Sequence, residues 1–113
     1  MLSLSKHIRV FEISGPMFFA AADRLTAIDS KQFTKVVIIR MRSVPAIDAS
    51  AMHSLHSLAD RAERKKIRLV FSHVNEQPLS VMKKDGFFDR IGANNFRSDI
   101  IDAIDYAEHC LQS

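Results

Sequence analysis

Val36-Val37-Ile38-Ile39 is an uninterrupted run of apolar, β-branched residues. In a strand, successive side chains point to opposite faces, so such a run is apolar on both of them. It must be covered on both sides, as strands of parallel or mixed sheets are in layered α/β domains. With Met41 the segment reads as a buried strand from Val36 to Met41.

The rest of the chain supplies the layers. Ile8 to Ile13 is rich in β-branched and aromatic residues and reads as a first strand, closed by Ser14-Gly15-Pro16. Phe18, Ala21, Ala22, Leu25 and Ile28 recur at helical spacing, which predicts a helix over about Phe19–Asp29. A second helix is expected from Ala49 to about Arg64, with Met52, Leu55, Ala59 and Ala62 on one stripe and Leu58 beside it. Ile67 to Phe71 reads as a third strand.

Asn75 is placed to cap a further helix, Val74 and Leu79 to staple its start, and Gly86 to end it in the left-handed conformation, with Phe87 folding back toward Met82. Phe88, Ile91 and Phe96 are read as core plugs in a loop and short strand, after which Ser98 and Asp99 cap a last helix bearing Ile100, Ile104, Ala107 and Leu111 on one face. Strands and helices thus alternate throughout. The expected fold is one α/β domain over 1–113, with a mixed, mostly parallel sheet of about four or five strands and about four helices.

Composition narrows the function classes. The chain has 113 residues, 47% hydrophobic and 26% charged, as suits one globular core. No apolar run approaches the roughly 20 residues that cross a bilayer, and no secretory signal pattern is visible. Cys110 is the single cysteine and cannot form an internal disulfide, which fits a reducing compartment. The formal net charge is +3, but the basic residues are dispersed. Lys65, Lys66, Lys83 and Lys84 fall at expected helix ends, where cations complement the helix dipole. No recognition helix or aromatic-rich strand motif accompanies them, so nucleic acid is not an expected partner.

The chemistry-bearing residues gather where the second strand meets the second helix, at Val44-Pro45-Ala46-Ile47-Asp48-Ala49-Ser50-Ala51-Met52. The first N–H groups of a helix lack intrahelical partners, so a side-chain oxygen or a bound anion is stabilised there. Asp48 and Ser50 are read as a cap and a first-turn residue, or as a cap beside a regulatory hydroxyl whose phosphate would sit near those N–H groups. His53 and His56 are three apart and could face one metal, but no third ligand is evident locally, and no metal is expected. Asp48, Ser50 and His53 are the residue types of a hydrolytic triad, yet Ser50 lacks the Gly-x-Ser-x-Gly setting of a nucleophile elbow. No phosphate loop or dinucleotide fingerprint exists, and there are only three glycines. The expectation is a protein that is not an enzyme and needs no cofactor.

Asp48-Ala49-Ser50-Ala51 after an apolar strand resembles the Asp-Ser-Ser/Thr-Gly signature of STAS domains. Ser50 stands where bacterial anti-sigma-factor antagonists carry the serine or threonine phosphorylated by a partner kinase. Ala49 replaces the first hydroxyl residue and Ala51 the glycine. Gly15-Pro16-Met17-Phe18-Phe19-Ala20 is similar to the Gly-Pro-Leu-Phe-Phe-Ala segment of STAS domains at the C-terminus of SulP anion transporters. Val44-Pro45-Ala46-Ile47-Asp48-Ala49-Ser50 is similar to their Val-Pro-x-Ile-Asp-Ala-Ser/Thr. Val74-Asn75-Glu76-Gln77-Pro78 and Gly86-Phe87-Phe88-Asp89-Arg90-Ile91-Gly92 also fit, so the likeness runs from about Ile8 to Tyr106.

The resemblance implies a non-catalytic regulatory and protein-interaction domain, excised from the C-terminus of a transporter for sulfate-like anions. It would lie on the cytoplasmic side of the inner membrane. Its implied partners are the transmembrane domain of its own transporter, other cytoplasmic regulatory proteins or a kinase, and a second copy through the full-length protein. The implied surface comprises Asp48, Ala49, Ser50, Ala51, His53, His56 and Ser57, with Ser50 the candidate phosphorylation site. Nucleotide binding near the same joint is a further family-level implication. The alternative is a stand-alone anti-sigma-factor antagonist switched by serine phosphorylation.

Overall fold

A computed structural model describes residues 6–14 and 34–112. The described strands are β1 (Ile8–Ser14), β2 (Val36–Ser43), β3 (Arg68–Ser72) and β4 (Phe96–Arg97). They form one sheet in the order β1-β2-β3-β4, every neighbouring pair parallel. The described helices are α1 (Ala49–Lys65), α2 (Glu76–Asp85), α3 (Phe87–Ile91) and α4 (Ile100–Gln112), with a 3-10 turn at Ala93–Asn95. The expected mixed sheet is thus wholly parallel among the described residues. The helix expected over Phe19–Asp29 lies outside them, as do Gly15 and Pro16.

The apolar run of β2 behaves as its chemistry requires. Val37, Ile39 and Met41 join α1's Ala51, Met52, Leu55, Leu58, Ala59 and Ala62 in one buried cluster, with Met82 and Phe87 from α2 and α3. Val36 and Ile38 point the other way, into a second cluster with Ala103 and Ala107 of α4. Strand β3 divides likewise, with Leu69 and Phe71 toward the first cluster and Val70 toward the second. Two helical layers therefore sandwich the sheet. Truncating a fully buried Leu55 to alanine would cost about 2–5 kcal/mol.

Gly86 (φ 92°) ends α2 as expected, and its N–H reaches Lys83 O at 3.3 Å. Phe87 and Met82 are both fully buried in the same cluster. The segment after Gly86 corrects the expected loop, because Phe87–Ile91 is a short helix. Its bonds Arg90 N–H to Gly86 O (3.0 Å) and Gly92 N–H to Phe88 O (2.9 Å) close it within five residues, too few to show a helical period. Phe88, Ile91 and Phe96 pack against the core half-buried. Phe96 stacks on Phe71 at 5.4 Å. At α4, Asp99 Oδ1 accepts the Asp102 N–H at 2.8 Å, while the Asp102 carboxylate accepts the Ser98 N–H at 3.1 Å. Each carboxylate satisfies an N–H that the helix cannot.

Candidate functional site

The β2–α1 joint is built by two apolar anchors and one cap. Val44 and Ile47 are buried, so Pro45 and Ala46 arch between them near the surface. Asp48 has extended backbone and its Oδ1 accepts the Ala51 N–H at 2.9 Å, starting α1. Ala49 and Ser50 then face outward and His53 is exposed, whereas Ala51 is wholly buried. The expected surface is corrected at that residue: Ala51 packs in the first core cluster. The reason is helical spacing, since Ala51 precedes Leu55 and Leu58 on the apolar stripe by four and seven positions.

Two amides at the start of α2 hold the joint from behind. Gln77 brackets the Ile47 peptide groups: its Oε1 accepts the Ile47 N–H at 2.9 Å, and its Nε2 donates to Ile47 O at 3.1 Å. Asn75 Nδ2 donates to Val44 O at 2.9 Å and Arg42 O at 3.1 Å. Asn75 sits at the N-cap position, but its side chain makes no cap bond to α2. That corrects its expected role. Carbonyls from the turning end of β2 converge on its N–H₂ group, and an amide nitrogen can only donate. Val74 and Leu79, the expected staple, line one groove together.

His56 sits at the boundary between the apolar and exposed faces of α1. Its ring lies half-buried, edge-on to Phe87 at 5.0 Å, and both nitrogens are engaged. Arg90 Nη1 lies 2.8 Å from Nδ1 and Asp85 Oδ2 lies 2.5 Å from Nε2. A guanidinium only donates, so Nδ1 accepts and the Nε2–H donates to Asp85. Arg90 also pairs with Asp60 and, at 3.1 Å, with Glu63. Its hydrogen bond holds the Asp60 carboxyl below the usual carboxylate range. His56 thus ties α1 to α2 and α3 from a half-buried position. Ser57 is half-buried on the same helix. Among the described residues no group of three or more His, Cys, Asp or Glu side chains could hold a metal ion.

Asp48, Ser50 and His53 share the start of α1, but the Asp48 carboxylate is used on the Ala51 N–H. The residues that sequence reasoning missed are Gln77, Asp85 and Arg90, together with the real work of Asn75. Asn75 and Gln77 were visible as polar residues at a helix start. Nothing local in the sequence says that their partners stand some thirty positions earlier.

Residues 2–105 match the STAS domain family. A solved sulfate transporter family protein from Wolinella succinogenes is 31% identical, with a TM-score of 0.92 over 99% of this chain and 93% of that one. The STAS domain of a SulP transporter from Vibrio cholerae shares the fold, at 22% identity and a TM-score of 0.82 over 97% of this chain and 88% of that one. YvdB of Bacillus subtilis (strain 168), named for sulfate transport, is 28% identical over 92 residues. That match spans 79% of this chain and 17% of YvdB. The family match spans nearly the whole chain, and the chain belongs to that family: it is a STAS domain related to those of SulP-type sulfate transporters.

Proposed function

We propose that the domain is a non-catalytic regulatory and interaction module of a SulP-type anion transporter, acting on the cytoplasmic side of the inner membrane. The observation that carries this reading is the construction of the joint. Ser50 is presented outward in the first turn of α1, while Gln77 and Asn75 fix the backbone behind it. A surface of this kind can be read or modified without unfolding the domain. The membrane domain of the same polypeptide is the first partner, and a kinase or another regulatory protein acting on Ser50 is the second. A second copy would be brought alongside by the full-length transporter.

The test is sulfate uptake by the full-length transporter carrying Ser50→Glu. Uptake, or binding of the membrane domain, is expected to change while the isolated domain keeps its melting temperature. Unchanged uptake and binding with an intact fold would remove the reading. Ser50 at the signature position also suits the stand-alone antagonist reading. A reading frame that opens at Met1, beside kinase and sigma-factor genes, would favour it over the transporter.

A further inference from the structure

A groove of about 330 Å³ opens at the end of the sheet away from the joint, between the C-terminal end of α1, the start of β3 and α3. Its size is at the low end of small-ligand clefts, roughly 300–1,000 Å³. The walls are of two kinds. Ala59, Ala62, Leu69 and Ile91 make an apolar side, and the two alanines leave room beside it. Lys66, Arg68 and Arg90 bring three cations to the other, against the single carboxylate of Glu63.

The cations differ in how they are used. Arg90 is committed to Glu63, Asp60 and His56, so its one charge is shared between two carboxylates and leaves Lys66 and Arg68 as the cations open to a ligand. Arg68 has no carboxylate partner among the described residues. Its Nη1 donates to the neutral Asn95 Oδ1 at 3.2 Å, which is itself held by the Tyr106 hydroxyl at 2.9 Å. The guanidinium is therefore oriented, and no carboxylate among the described residues pairs with it.

Lys66 stands at φ 59°, in the left-handed conformation that closes α1, where helices most often place glycine. Arg64 and Lys65 already supply basic charge to the last turn of α1. A long cationic side chain kept at a strained position beside a cavity points to a use for it.

We propose that the groove binds a small amphipathic anion, a carboxylate carrying a short apolar body. The carboxylate would meet Lys66 and Arg68, and the body would lie on Ala59, Ala62 and Ile91. This site is independent of the proposed role of the joint.

The experiment is an NMR titration of the isotope-labelled chain with hexanoate, with sulfate as the anion lacking an apolar body and hexanol as the body lacking a charge. Saturable shifts are expected at the Lys66, Arg68, Ile91 and Asn95 amides with hexanoate, at affinity about tenfold above either control. Arg68→Ala should weaken hexanoate by about tenfold, the equivalent of one charge-assisted hydrogen bond. Lys66→Gly should weaken it too, while the melting temperature holds or rises because glycine relieves the backbone. Equal response to sulfate and hexanoate, shifts scattered over the surface, or unchanged affinity in both variants would overturn the site.

Discussion

The molecule holds its two ends together by different chemistry. At the joint, the neutral amides of Gln77 and Asn75 bond to backbone groups of the turn, in partly buried surroundings. At the far side of α1, Arg90 gathers Asp60 and Glu63 through charge and His56 through a hydrogen bond, close to solvent. Neutral hydrogen bonds to partly buried peptide groups are costly to remove and indifferent to salt. Exposed ion pairs contribute less, and both salt and acid weaken them. The clamp thus suits a surface that must keep its shape as conditions vary, and the latch suits a contact that can yield.

The largest expected effect lies on the clamp. Gln77→Ala removes both side-chain bonds to the Ile47 peptide groups and should destabilise the domain by about 2 kcal/mol. Urea midpoints measured in about 0.1 M and 1 M salt should show the same loss, and the Ile47 amide should exchange faster with solvent. A loss that shrinks markedly in high salt would break the comparison.

Arg90→Ala should cost less, about 1 kcal/mol, with most of the loss gone at about 1 M salt, where the Debye length falls to ~3 Å. The latch should also respond to acid. The hydrogen bond from Arg90 lowers the pKa of Asp60, and that from Arg97 lowers the pKa of Asp102. A carboxyl lowered in the folded state adds stability that is fully present above its ordinary pKa of 3.8 and is lost as pH falls through the depressed value. Arg90→Gln should therefore lose less stability than the parent as pH falls from 6 to 3. A parallel decline in both proteins would separate the latch from acid sensitivity.

How much of this contrast is legible in the sequence follows from the range of each interaction. The strand β2 could be read because a run apolar on both faces has only one kind of home, and the two clusters divide its side chains accordingly. Helix α1 could be read from its stripe, and Gly86 from the need for a left-handed stop. The outward position of Ser50 and the cap at Asp48 follow from the same helix start. The clamp and the latch could not be read. Asn75 looks like a cap from its neighbours, and His56 looks like a helix-surface histidine, until residues about thirty positions away are brought beside them. Short helix α3 was hidden for a different reason, since five residues show no period.

The smallest effects belong to the presented face of the joint, and they sharpen what the clamp is for. Asp48→Ala removes the bond to the Ala51 N–H and should cost about 1 kcal/mol, the usual value of an N-cap. Ser50→Ala should stay within about 0.5 kcal/mol, because the side chain is exposed. Ser50→Glu should be similarly mild: a negative charge in the first turn is favoured by the helix dipole and opposed by Asp48 two residues earlier. Thermal melts of the three variants should therefore rank Asp48→Ala well below the other two. If Ser50→Glu instead melted as low as Gln77→Ala, its charge would be reaching through to the clamped backbone. The joint would then be a part of the fold that moves when modified, rather than a fixed surface that is read.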